Sequence, residues 1–198
     1  MKRLFDIISS SAGLILLSPV FLLIAVWIKS GSKGPVFYRQ LRVGKNGRDF
    51  KIYKFRTMYP GADKKGLITI GGRDPRVTRS GYYIRKYKLD ELPQLINVFT
   101  GEMSVVGPRP EVRKYVDLYT EEQLKVLSVK PGITDIASIK YRNENELLDK
   151  ADNPDKMYIE VIMPDKLKYN LEYIEKASLV YDLKLIFYTF KEIIIKSK

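Results

Sequence analysis

Residues 13–28 read GLILLSPVFLLIAVWI, a run of sixteen positions without a charged side chain. As a straight α-helix this run is about 24 Å long, which is shorter than a hydrocarbon core of about 30 Å. Lys2 and Arg3 precede the run, and Lys29 and Lys33 follow it. Because basic residues favour the cytoplasmic side of a membrane, positive charge at both flanks favours a segment that enters the bilayer and returns to the same face.

Ser18 and Pro19 lie near the middle of this run. Proline removes one backbone donor and clashes with the preceding turn, which kinks a helix. The neighbouring serine hydroxyl can satisfy the carbonyl that is freed. The pattern favours a re-entrant membrane helix. Three alternatives stay open: a proline-kinked spanning helix, a signal peptide (although no small-x-small cleavage site closes the run), and a buried helix of a soluble protein.

The composition limits the chemistry. The chain has 198 residues, enough for one domain with a sizeable core, and it contains neither cysteine nor histidine. Disulfides, cysteine nucleophiles, Ser-His-Asp hydrolases and histidine-ligated zinc enzymes are therefore excluded. Any nucleophile must be Asp, Glu, Ser, Thr, Lys or Tyr, and the acid or base is expected to be a carboxylate.

The net charge of +12 is unevenly distributed. Residues 1–89 hold 19 Lys and Arg against 4 Asp and Glu, a net charge of +15, whereas residues 90–198 hold 16 against 19, a net charge of −3. A basic half of this kind attracts phosphate groups, which occur in nucleic acid, anionic lipid and small phosphorylated substrates.

The body of the chain begins with a predicted β-hairpin. Residues 35–43 and 49–57 are rich in β-branched and aromatic residues, and they flank an Asn-Gly pair, which is a strong hairpin signal. Lys54 and Arg56 are two positions apart in the second strand and should share one face, which is either a binding face or simply a solvated one.

The rest of the chain is predicted to be mostly helical. Further predictions are a long loop over 59–80 with an apolar LITI inside it, a short helix over 81–86 that presents Arg85, a helix over 111–129, a strand or extended loop over 133–141, a short helix from Glu144 to Lys150, partial helix over 157–174 and a helix over 179–194. The last helix has one apolar face, which could pack on the core or lie on a membrane surface.

The segment YKLDELPQLINV, residues 87–98, places two adjacent carboxylates before a helical pattern. Asp90 is predicted to be an N-cap and Glu91 to lie in the first turn, with Pro93 tolerated there and the helix ending near Gly101. The two acids could simply cap the helix. However, a helix N-terminus also collects phosphate, and an acidic pair beside phosphate is usually bridged by a divalent cation.

A second candidate feature is Gly107-Pro108-Arg109-Pro110. The two prolines fix the backbone on both sides of Arg109, so its guanidinium is presented at low entropic cost. Arginine matches phosphate oxygens with a bidentate fork. The alternative is a rigid turn with an exposed arginine.

Taken in order, these features resemble the bacterial sugar transferase family, the small monotopic phosphoglycosyl transferases that begin lipid-linked glycan assembly. The resemblance covers nearly the whole chain, and its central block of 27 residues is highly specific. The matching segments are the apolar run with Ser18-Pro19, KIYKFRTM at 51–58, IRKYKLDELPQLINVFTGEMSVVGPRP at 84–110, KPGIT at 130–134 and YDLKLIFYT at 181–189.

The resemblance implies a reaction. Such enzymes move a phospho-sugar from a UDP-sugar to polyprenyl (undecaprenyl) phosphate and release UMP. By analogy Asp90 is the nucleophile that forms a covalent phospho-sugar intermediate, and Glu91 acts as acid or base or helps to place the metal. Mg²⁺ is the implied cofactor, with Asp90 as its assigned ligand.

The resemblance also implies the substrate-binding residues. Lys54, Arg85 and Arg109 match positions that hold phosphates or shape the site. The motifs around them add Arg56 and Pro108 to the predicted substrate-binding set, and Ser18-Pro19 matches the break in the re-entrant helix.

These inferences predict an α/β fold, mostly α, with a small β-hairpin. Residues 1–32 are expected to form the re-entrant membrane helix, and residues 33–198 a compact cytoplasmic catalytic domain with amphipathic interfacial helices.

The expected location is the bacterial inner (cytoplasmic) membrane, with the catalytic domain on the cytoplasmic face. The implied partners are a UDP-sugar, polyprenyl phosphate and membrane lipid, without nucleic acid and with a homodimer as one option. The resemblance implies the minimal form of the family, without the additional membrane helices of longer relatives.

One residue departs from the family pattern. After KPGIT the family commonly has glycine, and this chain has Asp135. If that position needs a positive φ, aspartate tolerates it less well than glycine.

Two other classes of function stay open: a membrane-anchored binding module for anionic polymers, and a secreted protein with a cleaved leader.

Overall fold

A computed structural model describes residues 1–62 and 74–195, with side chains described except at 190 and 192–195. The described chain is mostly helical, with two small two-stranded sheets and a long apolar N-terminal helix. The predicted LITI segment and its neighbouring glycines lie outside the described residues.

The α-helices are α1 (Lys2–Gly31), α2 (Arg79–Lys86), α3 (Gln94–Thr100), α4 (Arg113–Val116), α5 (Glu121–Leu124), α6 (Ile136–Lys140), α7 (Glu144–Asp149), α8 (Pro154–Met157), α9 (Met163–Lys176) and α10 (Leu179–Ile195). The strands are β1 (Phe37–Val43), β2 (Asp49–Phe55), β3 (Ser104–Val106) and β4 (Gly132–Thr134).

Helix α1 runs without interruption through its internal proline. It is long and apolar enough to cross a membrane by length and composition. Pro19 leaves the carbonyl of Ile15 without its usual backbone donor, and the hydroxyl of Ser18 donates to that carbonyl at 2.8 Å. The predicted rescue of the freed carbonyl is therefore confirmed. The backbone stays helical through Ser18 and Pro19, so the helix break predicted there is not observed, and re-entry into the membrane stays a prediction.

The N-terminal end of α1 is fastened to the rest of the protein by polar contacts. Arg3 donates to the carbonyl oxygens of Val98 at 2.6 Å and Phe99 at 2.7 Å. The buried carboxylate of Asp6 accepts hydrogen bonds from the hydroxyl of Ser104 and the backbone N–H of Val105, both at 2.9 Å. A buried carboxylate is stable only when it is hydrogen-bonded, so Asp6 fixes α1 against β3.

The C-terminal end of α1 is fastened by apolar packing. Ile24 and Ile28 are buried against Phe55 and Ile84. Burying two isoleucine side chains contributes on the order of 3–6 kcal/mol before entropy is subtracted. Both ends of α1 therefore rest on the same domain.

The opposite side of α1 is exposed and apolar. Leu16 is 76% exposed and Leu23 is 70% exposed. A continuous apolar helix face of this kind is typical of contact with lipid rather than with water.

The predicted hairpin is confirmed. Strands β1 and β2 pair antiparallel, from Phe37 opposite Phe55 to Val43 opposite Asp49. The turn between them places Asn46 at φ 57° and Gly47 at φ 72°, which is the left-handed conformation that Asn-Gly pairs favour.

A second sheet, which the sequence analysis did not predict, joins two motifs that are distant in the chain. Strands β3 and β4 pair parallel. A Cβ atom on Gly132 would lie 2.1 Å from the backbone nitrogen of Gly107, so the two segments approach as closely as they do only because both positions are glycine. This contact sets the GPRP turn directly against KPGIT.

Two predictions in the second half of the chain are wrong. Residues 111–129 do not form one helix, because a capping box between Thr120 and Gln123 starts a new helix, α5, and a 3₁₀ helix follows at Lys125–Ser128. The extended segment over 133–141 ends at Thr134, because the carboxylate of Asp135 accepts the N–H of Ser138 at 2.7 Å and starts α6.

The remaining helix predictions are confirmed. Helix α7 occupies the predicted segment from Glu144, and a π-helix at Tyr158–Ile162 continues into α9. Helix α10 buries Asp182 and Leu185, while Val180 is 65% exposed and Phe187 is 68% exposed. The apolar surface of α10 is thus only partly used by the core.

Candidate active site

The Asp90–Glu91 pair lies in a short 3₁₀ helix at Leu89–Glu91. Lys88 precedes it at φ 57°, a left-handed conformation that is uncommon for lysine and occurs often at functional sites. The prediction that Asp90 caps the helix is wrong, because α3 begins only at Gln94 and has no side-chain cap. The predicted end is confirmed, since α3 is closed by Gly101 at φ 92°.

Glu91 is held by two cations. The Nζ atom of Lys54 lies 3.2 Å from its Oε1 atom. The guanidinium of Arg109 pairs with both of its oxygens, at 3.1 Å between Nη1 and Oε2 and by a second contact between Nη2 and Oε1. The structure therefore brings together three predicted site residues from β2, the 3₁₀ helix and the GPRP turn.

Asp90 differs from its neighbour. Its carboxylate makes no hydrogen bond or ion pair with the side chains and backbone that the structure describes. Burial and the charge of Glu91 raise the pKa of the Asp90 carboxyl, although Lys54, Arg85 and Lys88 oppose that rise. Asp90 is thus a partly buried carboxylate whose oxygens are not occupied by the protein.

The neighbouring Glu91 has the opposite shift. Burial would raise the pKa of Glu91, but the positive charges of Arg109 and Lys54 hold it well below its usual range. Glu91 in turn raises the pKa of Arg109. Burial, with help from Arg109, lowers the pKa of Lys54 although Glu91 opposes it. Glu91 is consequently ionised at neutral pH.

Arg109 is held in place by its own loop. Pro108 and Pro110 are buried on either side of it. Arg42, which the sequence analysis passed over as a binding residue, donates to the carbonyl of Pro110 at 3.1 Å and to the carboxylate of Glu111 at 2.9 Å. No motif around Arg42 distinguished it from other basic residues of the hairpin. These contacts hold the backbone beside Arg109, and the presentation of its guanidinium to a phosphate stays a prediction.

Arg56 and Arg85 have different surroundings. Strand β2 ends at Phe55, and the guanidinium of Arg56 is buried where it donates to the carbonyls of Lys33 at 2.6 Å and Ser32 at 2.9 Å. The structure therefore gives Arg56 a role in holding the end of α1 and does not bring it to Glu91. Arg85 is on α2 as predicted, and its charge acts on Asp90.

The residues of this site could bind Mg²⁺ through one carboxylate, but not through a cage of several acidic residues. Within the described ranges no group of three or more acidic residues gathers as a metal cage. Mg²⁺ is commonly bound by one or two carboxylates together with substrate phosphates and water. Asp90 offers such a carboxylate, because no protein donor occupies its oxygens, whereas both oxygens of Glu91 are taken by cations.

Residues 1–196 match the sequence profile of a family described as bacterial sugar transferase. The chain belongs to the bacterial sugar transferase family. The matched range includes β2, the Asp90–Glu91 pair and the GPRP turn.

Named relatives differ in length. A UDP-glucose:undecaprenyl-phosphate glucose-1-phosphate transferase of Klebsiella pneumoniae is 43% identical, over 99% of this chain and 41% of the relative. A protein of the same name from Escherichia coli (strain K12) is 39% identical, over 96% of this chain and 39% of the relative. The exopolysaccharide production protein ExoY of Rhizobium meliloti (strain 1021) is 37% identical, over 95% of this chain and 83% of the relative. The chain spans about two fifths of the first two relatives.

Proposed function

We propose that this protein transfers a phospho-sugar from a UDP-sugar to polyprenyl (undecaprenyl) phosphate and releases UMP. The observation that carries this proposal is the contrast between the two adjacent carboxylates. Glu91 is tied to Lys54 and Arg109, and Asp90 has no partner among the described residues. The two named transferases among the relatives act on a UDP-sugar and undecaprenyl phosphate, which is the same reaction class.

The proposed reaction has two steps at one phosphorus atom. In the first step an oxygen of Asp90 attacks the phosphorus that carries the sugar, and the bond from that phosphorus to UMP breaks as UMP leaves with the electron pair. In the second step a phosphate oxygen of the polyprenyl phosphate attacks the same phosphorus, and the Asp90 carboxylate leaves. A covalent intermediate lets a water-soluble donor and a membrane-bound acceptor use the site in turn.

The surrounding cations make this attack feasible. A carboxylate and a diphosphate repel each other, and fixed positive groups must offset that repulsion in the transition state. Lys54 and Arg109 are already oriented by Glu91, so little reorganisation is needed when the diphosphate arrives. Because Glu91 is ionised at neutral pH, it is suited to anchoring these cations or accepting a proton, and it is not suited to donating one.

Magnesium is a proposed cofactor with Asp90 as its protein ligand. When bound, Mg²⁺ supplies positive charge that stabilises the diphosphate oxygens and the leaving UMP. The protein's contribution is to keep the Asp90 carboxylate free of cationic partners while the neighbouring Glu91 is paired with Lys54 and Arg109.

The proposed topology is a helix that returns to its starting face. Contacts at both ends of α1 support it, because Arg3 and Asp6 hold one end to the domain and Ile28 holds the other. A spanning helix would place its two ends on opposite sides of the bilayer, and one of these sets of contacts would have to break. We infer a location at the bacterial inner membrane with the domain on the cytoplasmic face and the exposed apolar surfaces of α1 and α10 in the lipid.

The reaction can be tested by UMP release from the detergent-purified protein with Mg²⁺, polyprenyl phosphate and a panel of UDP-sugars. Release with one donor, abolished in Asp90→Asn, is the expected result and identifies the sugar. Salt-sensitive binding of anionic polymers without UMP release from any donor would instead support the alternative of a polymer-binding module.

A further inference from the structure

Gln94 is buried although its carboxamide has no partner. The residue is 1% exposed, and neither its Nε2 nor its Oε1 atom makes a hydrogen bond in the part of the chain that the structure describes. A buried amide without partners destabilises a fold, so such groups are rare and usually have a function.

Asn97, one turn further along α3, provides an internal comparison. It is also buried, and its Nδ2 atom donates to the carbonyl of Lys51 at 2.9 Å while its Oδ1 atom accepts the N–H of Tyr53 at 2.9 Å. The burial of the Asn97 amide is therefore accounted for, because its hydrogen bonds join α3 to β2. Gln94 lies on the same side of the helix, closer to the acidic pair, and makes no such contact.

The position of Gln94 points to a specific partner. It follows Asp90 by four residues in a run of helical backbone that passes from the 3₁₀ helix through Leu92 and Pro93 into α3. Residues three and four apart on a helix are neighbours, and helical side chains tilt toward the N-terminus. Helix geometry therefore places Gln94 beside the Asp90–Glu91 turn. Of these two carboxylates, only Asp90 has unoccupied oxygens.

We propose that Gln94 is a positioning residue for Asp90. When the donor is bound, its Nε2–H donates to one oxygen of the Asp90 carboxylate and leaves the other oxygen to attack, while its Oε1 accepts from Lys54, whose Nζ atom lies 3.2 Å from the Oε1 atom of Glu91 in this structure. This arrangement gives both unpaired atoms of Gln94 a partner when the site is assembled for reaction. The inference rests on the proposed role of Asp90 as nucleophile.

The test is the variant Gln94→Met, which keeps the length and volume of the side chain and removes both polar atoms. If Gln94 were only filling the core, methionine would stabilise the protein and leave turnover unchanged, because an unpaired buried amide is lost. If Gln94 positions Asp90, the variant folds with an equal or higher Tm while kcat falls about 10- to 100-fold, the loss expected for a hydrogen bond to a charged group. KM for the UDP-sugar should change less than about threefold, because Gln94 does not touch the donor.

A matched control is Asn170→Leu. Asn170 lies on α9, is buried, and also has an unpaired amide oxygen. Leucine removes this buried amide as well, and the variant should keep kcat within about twofold. Gln94→Leu serves as a second apolar variant if Gln94→Met does not fold.

The outcomes separate the two claims. A kcat loss in Gln94→Met with unchanged turnover in Asn170→Leu supports the positioning role. Wild-type kcat in a folded Gln94→Met protein, or an equal loss in both variants, overturns it while leaving the proposed reaction intact. Absence of UMP release from the wild-type protein with every donor would instead overturn the proposed function.

Discussion

At the scale of single residues, the site depends on the different partners of two neighbouring carboxylates. Glu91 neutralises Lys54 and Arg109 and is ionised, while Asp90 keeps its oxygens unoccupied. Adjacent residues point in different directions from a 3₁₀ helix, so one can serve the protein's own cations while the other faces a ligand. The chemistry proposed for Asp90 needs this separation.

Arg109→Lys should lower kcat/KM by about 10- to 100-fold, because lysine keeps the charge and loses the bidentate pairing that arginine makes with Glu91 and could make with phosphate. The measurement is steady-state UMP release. Arg113→Lys is the control, because Arg113 pairs with Asp49 at a largely exposed position and should keep full activity. Equal activity of Arg109→Lys and the wild-type protein would show that the fork geometry is not used.

Asp135 does not need the backbone freedom of glycine. Its φ is −146°, an extended value that any residue adopts, and its carboxylate caps α6. Asp135→Gly should therefore destabilise the protein by a few tenths to about 1 kcal/mol, and Asp135→Asn should stay close to wild type, because asparagine also caps helices. Chemical unfolding of the three proteins measures this. Greater stability of Asp135→Gly would mean that the position is strained after all.

At the scale of elements, two groups of long-range hydrogen bonds hold α1 to the domain. The Asp6 carboxylate makes one group at β3, and the Arg56 guanidinium makes the other at the end of the helix. Arg56 was predicted from its motif to bind substrate, but its partners are the carbonyls of Ser32 and Lys33. A residue's position in a motif does not reveal whether it faces the ligand or supports the scaffold.

Asp6→Ala should destabilise the protein by about 2–3 kcal/mol, because it leaves the N–H of Val105 and the hydroxyl of Ser104 without their charged acceptor. For a chain of this length that loss corresponds to a fall in Tm of roughly 4–12 °C. Thermal unfolding in detergent is the measurement, and Asp6→Asn, which keeps one acceptor, should lose less. An unchanged Tm in Asp6→Ala would show that α1 is not held at this point.

Local signals predicted the elements that depend on them. The hairpin followed from Asn46-Gly47 between two β-rich runs, and the end of α3 followed from Gly101. The capping box at Thr120 is present in the sequence, but the apolar periodicity of 111–129 continues across it and predicts a single helix. The parallel pairing of β3 with β4 could not be predicted, since it depends on the contact between Gly107 and Gly132 across the fold.

The candidate site was predictable to the extent that its residues carry motifs. Asp90, Glu91, Lys54 and Arg109 came from their order along the chain, and three of them meet in direct contact. The unpaired amide of Gln94 could not be recognised from sequence, because glutamine at that position also suits an ordinary helix.

At the scale of the whole molecule, the central question is how the domain meets the membrane. Both ends of α1 contact one domain, and its outer face is apolar and exposed. The proposed one-sided embedding of α1 requires both of these features.

Because the chain has no cysteine, single cysteines can report topology without background. Leu4→Cys and Lys33→Cys lie near the two ends of α1, and Lys150→Cys lies on the exposed domain surface as the control. A membrane-impermeant thiol reagent should leave all three unlabelled in intact cells and label all three in inverted membrane vesicles. Labelling of Leu4→Cys from outside with Lys33→Cys protected would establish a spanning helix.

The covalent mechanism is tested most directly by the mass of the intact protein after incubation with Mg²⁺ and the UDP-sugar that supports UMP release, in the absence of polyprenyl phosphate. We expect an adduct of one phospho-sugar, located by peptide mapping at Asp90, removed by adding polyprenyl phosphate and absent from Asp90→Asn. UMP release that requires both substrates at once, with no adduct on the wild-type protein, would contradict it and indicate direct transfer between donor and acceptor.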